Sequence, residues 1–233
     1  MKLMTKVLTI SILGILLSSA GWADTGTTIQ AGITYVAPRG EFTPLSGPFL
    51  PANTVGLQAV PQKTMFLGIT QDLGSHFQLD LLGGIPPRHD VKLQVLDPSK
   101  LPPSSAALNG AVIAKVTQLA PTLLVNYRFG AASNRIRPFI GLGYNFTDFI
   151  KTESTSVGNA VNGGQTNINL NSSNGIAAQA GITASFYQHW SATASLLTAR
   201  VHSTLTSNTL GVQNTSNVLF RPVVATLALG YSF

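Results

Sequence analysis

The 233-residue chain carries 44% hydrophobic but only 9% charged residues, against about 25% charged in an ordinary soluble domain. So few ionic groups do not suit a water-facing globule, and 14 basic against 8 acidic side chains leave the balance only modestly cationic. No internal run reaches the roughly 18 apolar residues of a spanning helix, which excludes a helical membrane bundle. Abundant Gly, Asn, Ser and Thr leave the closed β-barrel as the membrane architecture that satisfies its own backbone.

The first element is a secretory signal peptide over residues 1–23. Lys2 and Lys6 form its basic start, Val7 to Leu17 its apolar core, and the small-residue stretch from Ser18 ends at a cleavage site after Ala23. An uncleaved anchor needs about 20 apolar residues, and this core is shorter. Residues 24–233 are then one outer-membrane β-barrel domain. The chain has no cysteine, which excludes a disulfide framework and cysteine-based redox or metal chemistry.

A period of two organises the chain beyond the signal. Ile29, Ala31, Ile33 and Tyr35 alternate with Gln30, Gly32 and Thr34; Met65, Leu67 and Ile69 with Phe66, Gly68 and Thr70; Phe77, Leu79 and Leu81 with Gln78 and Asp80. The stretch from Leu119 to Phe129 sets Leu123, Val125 and Tyr127 against Leu124, Asn126 and Arg128. From Arg137, the residues Ile140, Leu142 and Tyr144 oppose Phe139, Gly141 and Asn145. Ile176 to Phe186 and Trp190 to Leu196 alternate apolar with small polar residues. The last strand puts Val223, Ala225, Leu227, Leu229, Tyr231 and Phe233 on one face. One face of each strand suits lipid and the other a lumen, which predicts an all-β, eight-stranded antiparallel transmembrane barrel.

The connections alternate in length. Those around Gly74 to His76, Gly130 to Asn134 and Tyr187 to His189 are short. Those near 37–63, 90–116, 150–173 and 202–217 are long and polar, and are read as loops. Outer-membrane barrels place short turns in the periplasm and long loops outside, so both termini are expected in the periplasm. Phe77, Tyr127, Phe129, Phe186, Trp190, Tyr231 and Phe233 fall at the short-turn level, as an interfacial girdle should.

This register turns Asp72, Asp80, Arg128 and Arg137 inward. A one-residue slip would present them to lipid, at up to about 2–4 kcal/mol for each Arg near the midplane. Eight strands enclose a lumen just wide enough for side chains, so its contents decide what passes. The four charged groups, with Gln78 and Asn126, are expected to pair across the lumen as a polar plug at the short-turn end. Farther out the inward set is apolar: Val36, Phe66, Leu82, Pro86, Phe149, Leu197, Ala199, Val201, Pro222 and Val224, with Arg88 a polar exception near the rim. A greasy pocket over a closed floor predicts entry of small hydrophobic molecules from outside. Their exit is then lateral, where Pro86, Pro87, Pro121, Pro138 and Pro222 interrupt ladder bonding. The alternative is a structural or adhesive barrel acting through its extracellular loops.

Four segments, Leu81 to His89 (LLGGIPPRH), Leu119 to Gly130 (LAPTLLVNYRFG), Arg137 to Asn145 (RPFIGLGYN) and Pro222 to Phe233, stand in an order that resembles the outer membrane protein W family. That family includes alkane-uptake barrels. The resemblance spans essentially all of residues 24–233. It implies an eight-stranded barrel in the bacterial outer membrane and passage of small hydrophobic molecules with lateral release. It also implies that Phe233, with Tyr231, is the signal read by the barrel-assembly machinery. The Pro- and Gly-rich first loop and the Asn- and Gly-rich stretch from Ser154 to Ser173 depart from any simple carry-over of ligand identity.

An enzyme would need a nucleophile, a base and an orienting group in reach of one another. The best pair, His202 and Ser203, are adjacent strand residues that point to opposite faces. His76, His89 and His189 lack ligand spacing, so neither a metal nor another cofactor is expected. Arg39, Lys63, Lys92, Lys100, Lys115, Lys151 and Arg200 fall near the long loops and suit lipopolysaccharide phosphates, the alternative being a merely solvated rim. Scattered without an aromatic stacking face, they do not suit nucleic acid.

Overall fold

The computed structural model describes residues 26–233, so the signal peptide read over 1–23 lies outside the described residues. In chain order the strands begin with β1 (Thr27–Ala37), β2 (Gly40–Phe42), β3 (Val55–Ala59), β4 (Gln62–Leu73) and β5 (Phe77–Gly84). Next come β6 (Arg88–Val95), β7 (Val112–Leu119), β8 (Thr122–Arg128), β9 (Ile136–Ser154) and β10 (Thr166–Leu170). The chain ends with β11 (Ser173–Tyr187), β12 (Trp190–Ala199), β13 (Val201–Thr209), β14 (Val212–Phe220) and β15 (Val223–Ser232).

Eight of these strands close a ring in the order β1, β4, β5, β8, β9, β11, β12, β15 and back to β1, every pairing antiparallel. The expected register is present. Ile33 pairs with Met65 on one side and Leu227 on the other, and Leu142 with Val125 and Ala178. These are outward residues: Ile33 is 62% exposed, Leu142 67% and Leu227 60%. Their chain neighbours Thr34, Gly141, Thr226 and Ala228 are buried. Exposure of that kind is favourable only against hydrocarbon.

The short-turn end carries two aromatic stacks. Tyr127 lies edge-on to Phe77 and Phe129 at 5.3 and 5.1 Å, and Tyr231 to Trp190 and Phe233 at 5.2 and 5.1 Å. His76 and His189 stack on the two tyrosines, each held by a backbone carbonyl, of Arg128 and Ser232 respectively. Gly74 and Gly130 turn the chain here with φ of 80°, a conformation that strains any side chain.

The long connections are not loops in the main. Beyond the ring, β9 runs on and carries β7, β6 and β3 as one sheet, while β10, β13, β14 and β2 form a second. Between them Leu57, Val91, Ala114, Val116, Leu170, Leu205 and Val218 pack as a separate core. The inner face of the second sheet interleaves small polar residues with apolar ones, as in Val201, Ser203, Leu205 and Ser207. That composition reads as loop although the period is a strand's.

The stretch expected as one strand from Leu119 to Phe129 is two. Pro121 has no N–H to offer, and β7 ends before it while β8 starts after it. Both pieces pair with β9, at Leu119–Asp148 and Thr122–Asn145, so β9 is the spine shared by barrel and extension.

Leu142 is six residues into β9, which at about 3.3 Å per residue and a tilt near 40° puts it roughly 15 Å above the short-turn end, close to mid-bilayer. The variant Leu142→Arg is expected to lose about 2–4 kcal/mol of barrel stability. A lower urea midpoint for refolding into bilayers would register that loss.

Candidate functional site

A cavity of about 170 Å³ opens in the half of the barrel away from the short turns, a little larger than an apolar void that holds benzene, at about 150 Å³. All ten apolar residues expected in the outer lumen line it. Val36, Phe66 and Leu82 come from β1, β4 and β5; Leu197, Ala199 and Val224 from β12 and β15; Pro86, Phe149, Val201 and Pro222 sit toward the rim. Val91, Val116, Leu170 and Leu205 roof it from the extension. Sequence reasoning misses these four because their segments have the composition of loops; carrying the two-residue period through 90–116 and 201–209 finds all but Leu170.

Several polar groups around the cavity are engaged with one another. Asn145 donates through Nδ2 to Thr122 Oγ1 at 2.8 Å and accepts from Thr147 Oγ1 at 2.7 Å. Thr34 and Thr226 share a bond of 3.0 Å. What they leave facing the space is largely hydrocarbon.

One inward step below Thr122 lies Leu124, fully buried, and one step below that Asn126, where the polar network begins. Asp80, 2% exposed, accepts from Asn126 Nδ2 at 2.6 Å and Gln78 Nε2 at 2.9 Å. Asp72 pairs with Arg128 at 2.9 Å. The expectation that all four charged groups pair with each other is corrected here. Among the described residues, Asp72–Arg128 is the single ion pair of the set. Asp80 is met by two carboxamides instead. Arg137, the first inward residue of its strand, turns onto the short-turn carbonyls of Ser75 at 2.6 Å and Gly130 at 3.2 Å, with Arg128 and Phe129 farther off. A guanidinium fork suits several carbonyls that no strand partner reaches. Arg88 turns outward and pairs with Glu153.

The wall itself is interrupted. The β5–β8 ladder stops at Leu82–Thr122, and the next bond runs from Gln118 N to the Pro87 carbonyl. Between these points Gly83 to Pro86 face Leu119 to Pro121 with no ladder pairing, and both sides line the cavity. The Pro121 carbonyl is taken by Phe146 N at 3.0 Å, so the interruption does not strand it. Pro86, Pro87 and Pro121 thus gather at one gap in the ladder pairing. Pro138 does not join them, since its carbonyl accepts from Phe129 N and the residue pairs with Ile182. Pro222 stands beside the paired Ala37 and Val223.

His202 is exposed and Ser203 buried, on opposite faces, and the Ser203 hydroxyl donates to the Asn171 carbonyl at 2.7 Å. Tyr231 and Phe233 lie on the outer surface, 37% and 72% exposed.

Replacing Arg137 by Met is expected to cost about 1–3 kcal/mol, because the turn carbonyls lose a charged donor. Faster hydrogen exchange at residues 75–77 and 129–131, with the far end unchanged, would locate the effect.

A ring of eight strands, lipid-facing outside and polar then apolar inside, defines a small outer-membrane β-barrel. The model of the OmpW family matches residues 26–233. Outer membrane protein W of Salmonella typhimurium is 27% identical over 219 residues, covering 89% of this chain and 95% of that one. The OprG structure of Pseudomonas aeruginosa superposes with a TM-score of 0.77 at 22% identity, over 89% of this chain and 95% of that one. AlkL, solved in DMPC bilayers, gives 0.65 at 16%, over 92% and 93%. The chain belongs to the OmpW family and is a protein of the bacterial outer membrane.

Proposed function

We propose that the barrel conducts small hydrophobic molecules passively from outside the cell into the outer membrane. The observation that carries this reading is the apolar cavity, lined in part by the unpaired stretch of wall between Gly83–Pro86 and Leu119–Pro121, with a polar network beneath it. A solute entering the cavity gains about 25 cal/mol for each Å² of apolar surface that leaves water. Onward movement through the floor would have to part Asp72 from Arg128 and uncover Asp80, in a site of low dielectric. Sideways movement meets only hydrocarbon, where the solute is equally at home. No energy source is required.

In this reading the two-sheet extension faces the exterior and both termini the periplasm, supported by the short turns and aromatic stacks at one end. Residues 1–23 direct export. Tyr231 and Phe233 are presented to the barrel-assembly machinery on the surface of the closing strand. Basic residues on the outer face, among them Lys63, Lys92 and Lys115, meet lipopolysaccharide phosphates; Lys100 and Lys151 already have acidic partners in Asp97 and Glu153.

The test places a charge in the cavity. Leu82→Arg and Val224→Arg, in barrels that still show the gel-mobility shift of folded protein, are expected to reduce uptake of radiolabelled octane to that of cells lacking the protein. Uptake unchanged in both folded variants would replace this reading with a structural or adhesive barrel.

A further inference from the structure

Two of the buried side-chain atoms in the residues lining the cavity have no hydrogen-bond partner among the described residues, Nε2 of His89 and Oε1 of Gln179. The Gln179 amide can rotate to offer either its oxygen or its nitrogen, so it selects little. His89 is different, because its orientation is fixed. On β6 it faces inward with Val91 and Leu93, 3% exposed, while Arg88, Asp90 and Lys92 face out. Those outward charges put β6 above the lipid belt. His89 Nδ1 lies 2.8 Å from the Val60 carbonyl oxygen. A carbonyl only accepts, so Nδ1 carries the proton. Val60 is held in turn by its own N–H, which donates to the Asp90 carbonyl at 2.8 Å. Burial holds the His89 pKa below the ordinary histidine value, against the smaller pull of the Val60 carbonyl and Asp90. The ring is therefore neutral at neutral pH, and Nε2 bears a lone pair.

That lone pair is unusual in its setting. Thr34, Thr122, Asn145, Thr147 and Thr226 are bonded to one another or to backbone, whereas a buried acceptor left empty is costly. His89 is also the second residue of β6, next to the unpaired stretch of wall and two residues after Pro87. We propose that His89 Nε2 is the polar anchor of the cavity and accepts a hydrogen bond from the cargo. The favoured class is a small apolar body with one donor group: an aliphatic alcohol, a phenol or an N–H heterocycle. Ketones, esters and alkanes of the same size have no proton to give and bind more weakly. This rests on the uptake reading, since it uses the same cavity.

The experiment uses the full barrel in DMPC nanodiscs, free of detergent that would fill the site, with 1-octanol and 2-octanone as matched probes. In the wild-type protein the ¹⁵N resonance of His89 Nε2 is expected to shift with octanol and not with octanone. Octanol is expected to bind about 5- to 10-fold more tightly than octanone, as one net hydrogen bond provides. In His89→Leu that preference falls to near unity. A preference that survives in folded His89→Leu, or an Nε2 resonance indifferent to octanol because water occupies it, overturns the assignment. Should His89→Leu not fold, the wild-type resonance alone decides. If neither probe binds the wild type, the uptake reading fails first and the anchor with it, whereas equal binding of both removes only the anchor.

Discussion

In hydrocarbon an unpaired amide or carbonyl has no water to fall back on, so a spanning strand must find partners along both edges. Closing eight strands into a ring meets that demand, and the rest of the molecule follows from it. Once the ring is closed, alternate side chains are committed to lipid or lumen, and a single slip would exchange the two sets. Ile33, Leu142 and Leu227 outside, with Thr34, Gly141 and Thr226 inside, are the visible result. The wall opening departs from continuous pairing, and even there the Pro121 carbonyl is met by Phe146 rather than left bare.

The lumen divides into two media. In the lower one, charged groups are surrounded by matched partners: Asp80 by carboxamides, Arg137 by turn carbonyls, Asp72 by Arg128. In the upper one, polar groups are few and mostly spoken for, so the surface offered to a guest is apolar. Leu124 marks the boundary. Under the proposed function, opposed media of this kind would make the barrel directional without a moving part, since an apolar guest is favoured on one side of Leu124 and disfavoured on the other.

The extension is built directly onto the ring. Because β9 continues past the ring as far as Ser154, the β7–β6–β3 sheet is stacked on the barrel in register rather than tethered by a flexible loop. Val91, Val116 and Leu205 line both the barrel cavity and a second cavity of about 160 Å³ within the extension. Those three side chains therefore stand where the two cavities adjoin.

The sequence by itself determined the barrel, its strand count and which side chains face lipid, and it grouped ten apolar residues that line one cavity. It could do so because facing depends only on a period of two, a local property that lipid enforces on every strand. It also showed that Asp72, Asp80, Arg128 and Arg137 are inward. Tertiary structure alone decided their partners, because pairing depends on which strand ends and turns meet around the ring. Arg137 reaches carbonyls of Ser75 and Gly130 from two different turns, a juxtaposition no spacing along the chain encodes. Likewise the last long connections read as loops because Ser and Thr share their inward positions, as at Thr166, Ser203, Ser207 and Ser216. Only the pairing of distant segments turned them into strands, gathered Pro86, Pro87 and Pro121 at one gap in the ladder, and left His89 buried beside it with an unpartnered Nε2.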